Sequence, residues 1–249
     1  MPATAKKASE GLADSVPPDL TAALRKQDAA LSHNLNGQKL GRKGRDTRER
    51  ILAAAAEILA APDDLPISMT SVARRASLGM TSLYNYFSDL TELMLAVLDP
   101  VMETAHADYL ALLGEYWPDE HLHERCIEFV LAYHNFWARN SRLLHLRNSM
   151  ADQFDARMVE QRIASTQPVI ERLLRQMVGD DANARAEAGS TAAMVMIGVE
   201  RSITIATDHR LGQIIGWNEL HDEHRFIRPG ARLMELVIRD TRARSANRG

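Results

Sequence analysis

The feature that most constrains how this chain can fold is a stretch beginning at Ser68, which reads SMTSVARRASLGMTSLYNYFSDLTE. It contains two short helical patterns separated by SLG at positions 77–79. A helix on a protein surface normally carries Lys and Glu opposite its apolar stripe. The second pattern instead carries Thr81, Ser82, Asn85 and Tyr86 on that side. The composition of this side therefore indicates a specialised surface.

A third helical pattern precedes the stretch and runs from Thr47 to about Ala60, with Asp46 and Glu49 spaced as a capping box. Helix 2 is expected to begin after Ser68, and helix 3 to run from about Met80 to Tyr86. Three short helices with a tight turn before the last predict a helix-turn-helix unit, whose third helix enters the major groove of DNA. Its inner side would pack through Leu83 and Phe87.

The outer side of helix 3 has the chemistry that a groove requires. Threonine and serine hydroxyls bond phosphates or base edges, a carboxamide pairs with adenine, and tyrosines reach phosphate oxygens. The hydroxyls at the start of helix 2 suit a phosphate, and the basic run before helix 1 attracts DNA of any sequence. The predicted DNA-contacting residues are Arg42, Lys43, Arg45, Thr47, Ser68, Thr70, Ser71, Met80, Thr81, Ser82, Tyr84, Asn85 and Tyr86. The alternatives are an ordinary surface hairpin of helices and, for Arg42 to Arg50, a solvated run of charge.

The segments TRERILAAAAEIL and SMTSVARRASLGMTSLYNYFSDLTEL, within residues 45–95, resemble the N-terminal domain of the tetracycline-repressor (TetR) family of bacterial transcription regulators. The positions that carry this resemblance are Val72, Ala73, Ala76, Leu83, Tyr84, Phe87 and Leu93. Three positions depart from the family pattern: Ser77 replaces the usual turn glycine, Gly79 the usual capping serine, and Leu90 the usual lysine. The loss of that lysine is expected to remove one phosphate contact per subunit.

The resemblance implies an all-helical C-terminal domain that binds an effector and forms a homodimer. It also implies a ligand-responsive repressor that binds a palindromic double-stranded DNA operator. The effector, the operator sequence, the regulated genes and the sign of regulation cannot be read from the residues. The alternatives are a small-molecule-binding helical protein with a non-functional helix-turn-helix, a transcriptional activator, and an architectural DNA-binding protein. No catalytic constellation stands out, so the sequence does not indicate an enzyme.

Composition supports an all-α fold. Hydrophobic residues make up 45% of the 249 residues and aromatic residues only 5%, with Ala, Leu, Met and Arg recurring, which favours helices over sheets. Cys126 is the only cysteine, so no disulfide can form within the chain, which fits a reducing cytoplasm. No signal peptide and no apolar run of membrane-spanning length is present. We therefore expect a cytoplasmic protein that makes no membrane contact.

Three regions are predicted along the chain. Residues 1–40 form a poorly ordered extension with one short helix, 41–95 the DNA-binding domain, and 96–249 the helical effector-binding and dimerisation domain. Beyond Pro100 we expect helices at about 101–114, 119–139, 141–153, 155–178, 183–209 and 230–246. No alternating pattern suggests a strand.

Aromatic and methionine residues in the C-terminal region are candidates for an effector pocket. The set comprises Phe129, Tyr133, His134, Phe136, Trp137, Met150, Phe154, Met158, Met194 and Met196, and the alternative is an ordinary core. Candidate polar groups beside them are His134, Arg142, His145 and Arg147.

The dimer is expected to form through the last two helices, which carry Ala192, Ala193, Met196, Val199, Ile203, Leu233, Leu236 and Val237. A core within one chain is the alternative for these residues. The clusters HLHERC (121–126) and HDEHR (221–225) lack the spacing of a metal site, so no metal or cofactor is predicted. Cys126 is expected to be a small buried hydrophobe.

Overall fold

A computed structural model describes residues 41–61, 66–208, 211 and 223–247. In this part of the chain every regular element is a helix and no strand occurs, so the all-α prediction is confirmed. The α-helices are α1 (Arg42–Ala60), α2 (Met69–Arg75), α3 (Met80–Tyr84), α4 (Leu90–Asp108), α5 (Leu122–Arg139), α6 (Ser141–Asp152), α7 (Ala156–Val178), α8 (Ala182–Thr207) and α9 (Glu223–Ala246). A 3₁₀ helix occupies Leu110–Leu113. The predicted extension at 1–40 lies outside the described residues.

The described residues fall into two compact units, one ending at Glu103 and the other beginning at Thr104. The division lies within α4, whereas the sequence suggested a boundary between residues 95 and 96. Among the described helices, none is long and apolar enough to cross a bilayer.

Helix α1 begins earlier than predicted. Its first residue is Arg42, and Gly41, in an extended conformation, takes the N-cap position without a side-chain cap. The predicted start at Thr47, with Asp46 and Glu49 as a capping box, is therefore wrong. Arginine and lysine are good helix formers, so the basic run extends the helix towards the N-terminus.

The core of the first unit collects the apolar stripes of its helices. Ile51 and Leu52 of α1, Val72 of α2, Leu83 of α3 and Leu93 of α4 are fully buried. Helices α2 and α3 have only 7 and 5 residues, so they owe their stability to this shared burial more than to helix propensity.

Two prolines lie inside helices where the sequence predicted a break. Helix α4 continues through Pro100, and α9 continues through Pro229. A proline removes one backbone hydrogen bond and clashes with the preceding turn. In α4 that cost is offset by burial on both sides of the proline, since Leu98 and Val101 are buried. The helix starts predicted at about residues 101 and 230, directly after these two prolines, are therefore wrong.

The other predicted helix limits lie within a few residues of the observed ones. The prediction for 101–114 covers the end of α4 and the 3₁₀ helix, and the remaining four agree with α5, α6, α7 and α8. Asp155 and Asp181 cap α7 and α8, each accepting hydrogen bonds from two backbone N–H groups.

An aromatic cluster fills the centre of the second unit. Tyr109 lies edge-on to Tyr133 at 4.8 Å and to Phe136 at 5.1 Å between ring centroids. Trp137 lies edge-on to Tyr133 at 6.5 Å. Such offset pairs add to the stabilisation from burial alone.

A buried carboxylate joins α5 to α9. Glu235 accepts hydrogen bonds from Arg232 at 2.7 Å and Arg239 at 3.0 Å, and lies 2.8 Å from Nδ1 of His123. Burial alone would raise the pKa of Glu235. The hydrogen bonds have the larger combined effect and lower this pKa to about 2. Cys126 is buried nearby, as predicted, and burial raises the pKa of its thiol to about 12, so it is not a reactive thiolate.

Candidate functional site

Helix α3 has one buried and one exposed side. Leu83 is fully buried and Phe87, just after the helix, is 1% exposed, as predicted for the inner side. Thr81 and Ser82 are exposed on the outer side, and the Tyr84 side chain is 48% exposed although it is large and aromatic. The helix therefore presents hydroxyl groups to solvent.

The helix is shorter than predicted, because it ends at Tyr84. Asn85 takes the C-cap position, and Tyr86 follows it. Both side chains are half-buried, as is Met80 at the start of the helix. Asn85 and Tyr86 therefore lie at the edge of the exposed side.

The turn between α2 and α3 has a left-handed residue. Ser77 has a φ of 53°, a conformation that favours glycine. The N–H of Leu78 donates to the carbonyl of Ala73 at 2.9 Å and so closes the end of α2. Gly79, with an ordinary φ of −73°, is the N-cap of α3 and supplies no side-chain cap.

The start of α2 uses its own hydroxyls. Ser68 accepts from the Ser71 N–H at 3.1 Å, and the Ser71 hydroxyl oxygen accepts from the Ser68 N–H at 2.9 Å. Ser68 is therefore the cap of α2, and the helix begins after Ser68 as predicted. The Ser71 hydroxyl also donates to the Ser68 carbonyl at 2.9 Å, so its proton is already engaged. Thr70, which is exposed, is the side chain here with the most freedom to contact a ligand.

The first turn of α1 is basic. Arg42, Lys43 and Arg45 are exposed, and the turn holds no acidic residue. Positive charge is unfavourable at this end of a helix, where the helix dipole is itself positive. Thr47 is half-buried, and its hydroxyl donates to the Lys43 carbonyl at 2.9 Å. The turn thus concentrates positive potential that an anion would neutralise.

Arg48, part of the same basic run in the sequence, is buried. It is 8% exposed, and its guanidinium carbon lies 4.9 Å from the centre of the Phe87 ring. Burial lowers the pKa of Arg48, opposed by the charges of Glu92 and Asp99. The alternative of a fully solvated charge run is therefore wrong at this position. Through this contact α1 lies beside the segment that follows α3. Arg48 comes three residues after the exposed Arg45.

Arg74, near the end of α2, is an exposed cation that the sequence argument missed. Within the described part of the chain its side chain makes no hydrogen bond or ion pair. The next residue, Arg75, is instead bound to Glu57 of α1 at 2.6 Å. The signal was present as adjacent arginines in VARR, but periodicity alone does not tell which of the two is paired.

The predicted effector-pocket residues divide between core and surface. Phe129, Tyr133, His134, Phe136, Trp137, Met158 and Met196 are buried. Met150 is half-buried, while Phe154 is 90% and Met194 67% exposed. The buried Nδ1 of His134 has no hydrogen-bond partner among the described residues.

A groove of about 800 Å³ lies elsewhere in the second unit, between α6, α7 and α8. Its apolar lining comes from Ile163, Ile170 and Ile197, and its polar lining includes Asn148, Glu200 and Thr204. None of the ten predicted pocket residues is among those that line it.

Arg147, one of the four candidate polar groups, contacts two residues of the groove lining, Asn148 and Glu200. It is 3% exposed and donates to Asn148 at 3.0 Å and to Ser165 at 3.1 Å. Its Nη2 is 3.7 Å from Oε1 of Glu200. Burial lowers the pKa of Arg147, with Tyr133 and Glu200 opposing that shift.

The predicted interface residues of the last two helices also divide. Ala192, Met196, Val199 and Ile203 are buried within their own unit, so these four belong to the core of one chain, and a dimer contact through them is wrong. Leu233 and Leu236 of α9 are 46% and 47% exposed, and Met194 of α8 is exposed as well.

Among the described residues, no group of three or more His, Cys, Asp or Glu is placed to hold a metal ion. His121 pairs loosely with Glu124 at 3.4 Å, and His123 is bound to Glu235. The side chains of 221–224 lie outside the described part.

Comparison with protein-family models gives no match, and comparison with curated proteins gives no significant match. The TetR resemblance is therefore carried by the residues quoted above.

Proposed function

We propose that this protein is a homodimeric DNA-binding transcription regulator of the TetR type, with α2 and α3 as its helix-turn-helix and α3 as the reading helix. One observation carries this proposal. The inner side of α3 is fully buried at Leu83, while Thr81, Ser82 and Tyr84 stand exposed on the other side. A surface of short hydroxyls and one phenol suits close approach to a DNA groove, because these groups can bond phosphate oxygens and base edges.

The basic turn of α1 supports the same proposal. Arg48 contacts Phe87 just after α3, so the exposed cations one or two turns earlier on α1 lie near that end of the reading helix. There they would contact phosphates and supply attraction that does not depend on sequence. Arg74 adds an exposed cation beside the turn that precedes α3.

Regulation by a ligand is the second part of the proposal. The groove between α6, α7 and α8 is in the size range of small-molecule sites. An effector bound there would favour a dimer whose reading helices are spaced wrongly for half-sites roughly 34–36 Å apart. A coupling free energy of about 1–3 kcal/mol would suffice to relieve repression.

The same groove favours a second candidate, a small-molecule-binding protein that does not bind DNA. DNA selection separates the two. The full-length protein is incubated with a pool of random duplexes, bound sequences are recovered, and affinity is measured by gel shift. A regulator selects a palindromic motif, while the second candidate selects none.

The sharpest variant of this test is Tyr84→Phe, which removes one exposed hydroxyl and leaves the ring. We expect DNA affinity to fall about tenfold or more, because a hydrogen bond to a charged phosphate is worth about 1.5–3 kcal/mol. Thermal unfolding should not change. The matched control is Tyr116→Phe in the second unit, where the tyrosine is 64% exposed. Wild-type affinity in Tyr84→Phe, or an equal loss in the control, would count against a groove-facing α3.

A further inference from the structure

The groove in the second unit has an apolar body. Ile163 and Ile170 of α7 face it together with Ile197 of α8, and the side chains of Ile163 and Ile197 are 59% and 58% exposed. Covering isoleucine side chains that are exposed to this extent removes apolar surface from water, which is favourable in free energy. A ligand with an apolar body would bury them.

One polar group in the groove lacks a hydrogen-bond donor. The Glu200 side chain is 16% exposed and lines the groove, yet within the described part of the chain no donor lies within hydrogen-bond distance of its carboxylate. A carboxylate that is only 16% exposed has lost much of its contact with water, and polar groups in such positions normally have a hydrogen-bond partner. Its oxygens are therefore open to a donor that arrives through the groove.

The nearest cation does not fill that role. Arg147 is 3.7 Å from Glu200, beyond hydrogen-bond distance, and its N–H groups are held by Asn148 and Ser165. Its charge offsets part of the cost of burying the Glu200 carboxylate. The acceptor positions on the groove side remain available.

We propose that this groove binds an organic amine, whose ammonium group donates to Glu200 while its apolar body lies against Ile163, Ile170 and Ile197. A hydrogen bond between an ammonium and a carboxylate is roughly twice as strong as one between neutral groups. A ligand carboxylate would be repelled by the like charge of Glu200 and could donate no hydrogen bond to it. The claim that this amine is the regulator's effector rests on the proposed function. The claim that the groove binds an amine does not.

An anionic ligand is the main competitor. Arg201 lines the groove, is exposed, and has no side-chain partner within the described residues. Because its guanidinium is already well solvated, an added ion pair there would gain little. Arg162, the other cation of the lining, is bound to Asp152 at 2.8 Å. Glu200, whose side chain is only 16% exposed, is therefore the charge of the lining that would gain most from a ligand of opposite charge.

The test uses octylamine, octanol and octanoate, three probes with the same apolar chain and different heads. Binding to the full-length protein is measured by isothermal titration calorimetry at neutral pH and without DNA, so the result does not depend on any DNA-binding activity. Octylamine should bind about tenfold more tightly than octanol, and octanoate more weakly than both.

Glu200→Gln should reduce octylamine affinity about tenfold and leave octanol binding unchanged. The matched control is Glu171→Gln, which removes the same charge from an exposed carboxylate of the groove lining. In case Glu200→Gln unfolds, Ile163→Trp narrows the groove from its exposed edge and should weaken octylamine binding. Ala164→Trp, exposed on the same helix outside the lining, is its control.

The proposal is overturned if octanol or octanoate binds as tightly as octylamine, or if Glu171→Gln loses as much affinity as Glu200→Gln. It is also overturned if Ile163→Trp leaves octylamine binding intact, or if that variant separates a dimer into monomers, because a second copy would then cover the groove. A sequence-selective DNA complex in the gel-shift experiment would leave the proposed function standing after any of these results.

Discussion

At the scale of single residues, the turn before α3 has a serine where its backbone favours glycine, and a glycine where a helix cap favours serine. Ser77 has a φ of 53°, where a glycine would avoid the clash of a side chain with the backbone. Gly79 has a φ of −73° and caps α3, where a serine hydroxyl could accept from the helix N–H groups. The turn is therefore less stable than its geometry allows.

Replacing Ser77 by glycine should stabilise the first unit by about 0.5–1 kcal/mol, because the relief of left-handed strain exceeds the entropy that glycine adds to the unfolded chain. Amide hydrogen exchange in α2 and α3 measures this local stability. The same change at Ser190, inside α8, is the control and should destabilise its helix by about 0.5 kcal/mol. Faster exchange in Ser77→Gly would contradict the prediction.

The environments of some side chains could be predicted from the sequence, and those of others could not. The buried positions Leu83 and Phe87 were predictable, because their spacing on a short amphipathic helix leaves one side for the core. Arg48 was not, since a basic run carries no mark for the one member that turns inward onto an aromatic ring. Nor was Glu200, whose importance depends on the lack of a hydrogen-bond donor from the helices around it.

At the scale of the helices, the presence of a helix was easier to predict than its first and last residues. The apolar periodicity of α1 is long and regular, so this helix was expected, but its N-terminus and the passage of α4 through Pro100 were not. Capping signals and prolines are local preferences of about 1–3 kcal/mol. Burial of several apolar residues on either side can exceed them, and it is a property of the fold rather than of the segment.

The basic first turn of α1 yields a prediction in which binding and stability change in opposite directions. Replacing both Arg42 and Lys43 by glutamine should weaken DNA binding and lower its logarithmic salt dependence by about two units, one per lost phosphate contact. The same pair should stabilise the free helix by about 0.3–1 kcal/mol for each charge removed from its positive end. Gel shifts at several salt concentrations and hydrogen exchange of the α1 amides measure the two effects.

The control removes the same charge from the opposite ends of helices. Arg175 and Arg244 are exposed in the last turns of α7 and α9, where a cation is favourable. Replacing both by glutamine should leave DNA binding unchanged and slightly destabilise those helices. An unchanged salt dependence in the α1 variant would show that its first turn does not contact phosphate.

At the scale of the whole molecule, the proposed dimer depends on which apolar residues remain after each chain has formed its own core. Helix α8 has apolar residues on more than one side, and the sequence could not tell which side faces its own unit. The structure places Met196 and Val199 in the core and leaves Met194 exposed, with Leu233 and Leu236 exposed on α9. In the proposed dimer these three side chains are the ones that a partner would bury, while Ile197, also exposed on α8, lines the groove.

Replacing Leu233 and Leu236 together by glutamate should therefore convert the dimer to a monomer, because burying two carboxylates in an apolar contact is far more costly than burying two leucines. Sedimentation equilibrium measures the change, and circular dichroism checks that helix content is kept. DNA affinity should fall steeply in the same variant, because a monomer contacts only one half-site. Phe154→Glu, at an aromatic residue 90% exposed outside α8 and α9, should remain dimeric. A dimer that survives the double substitution would place the contact on another surface.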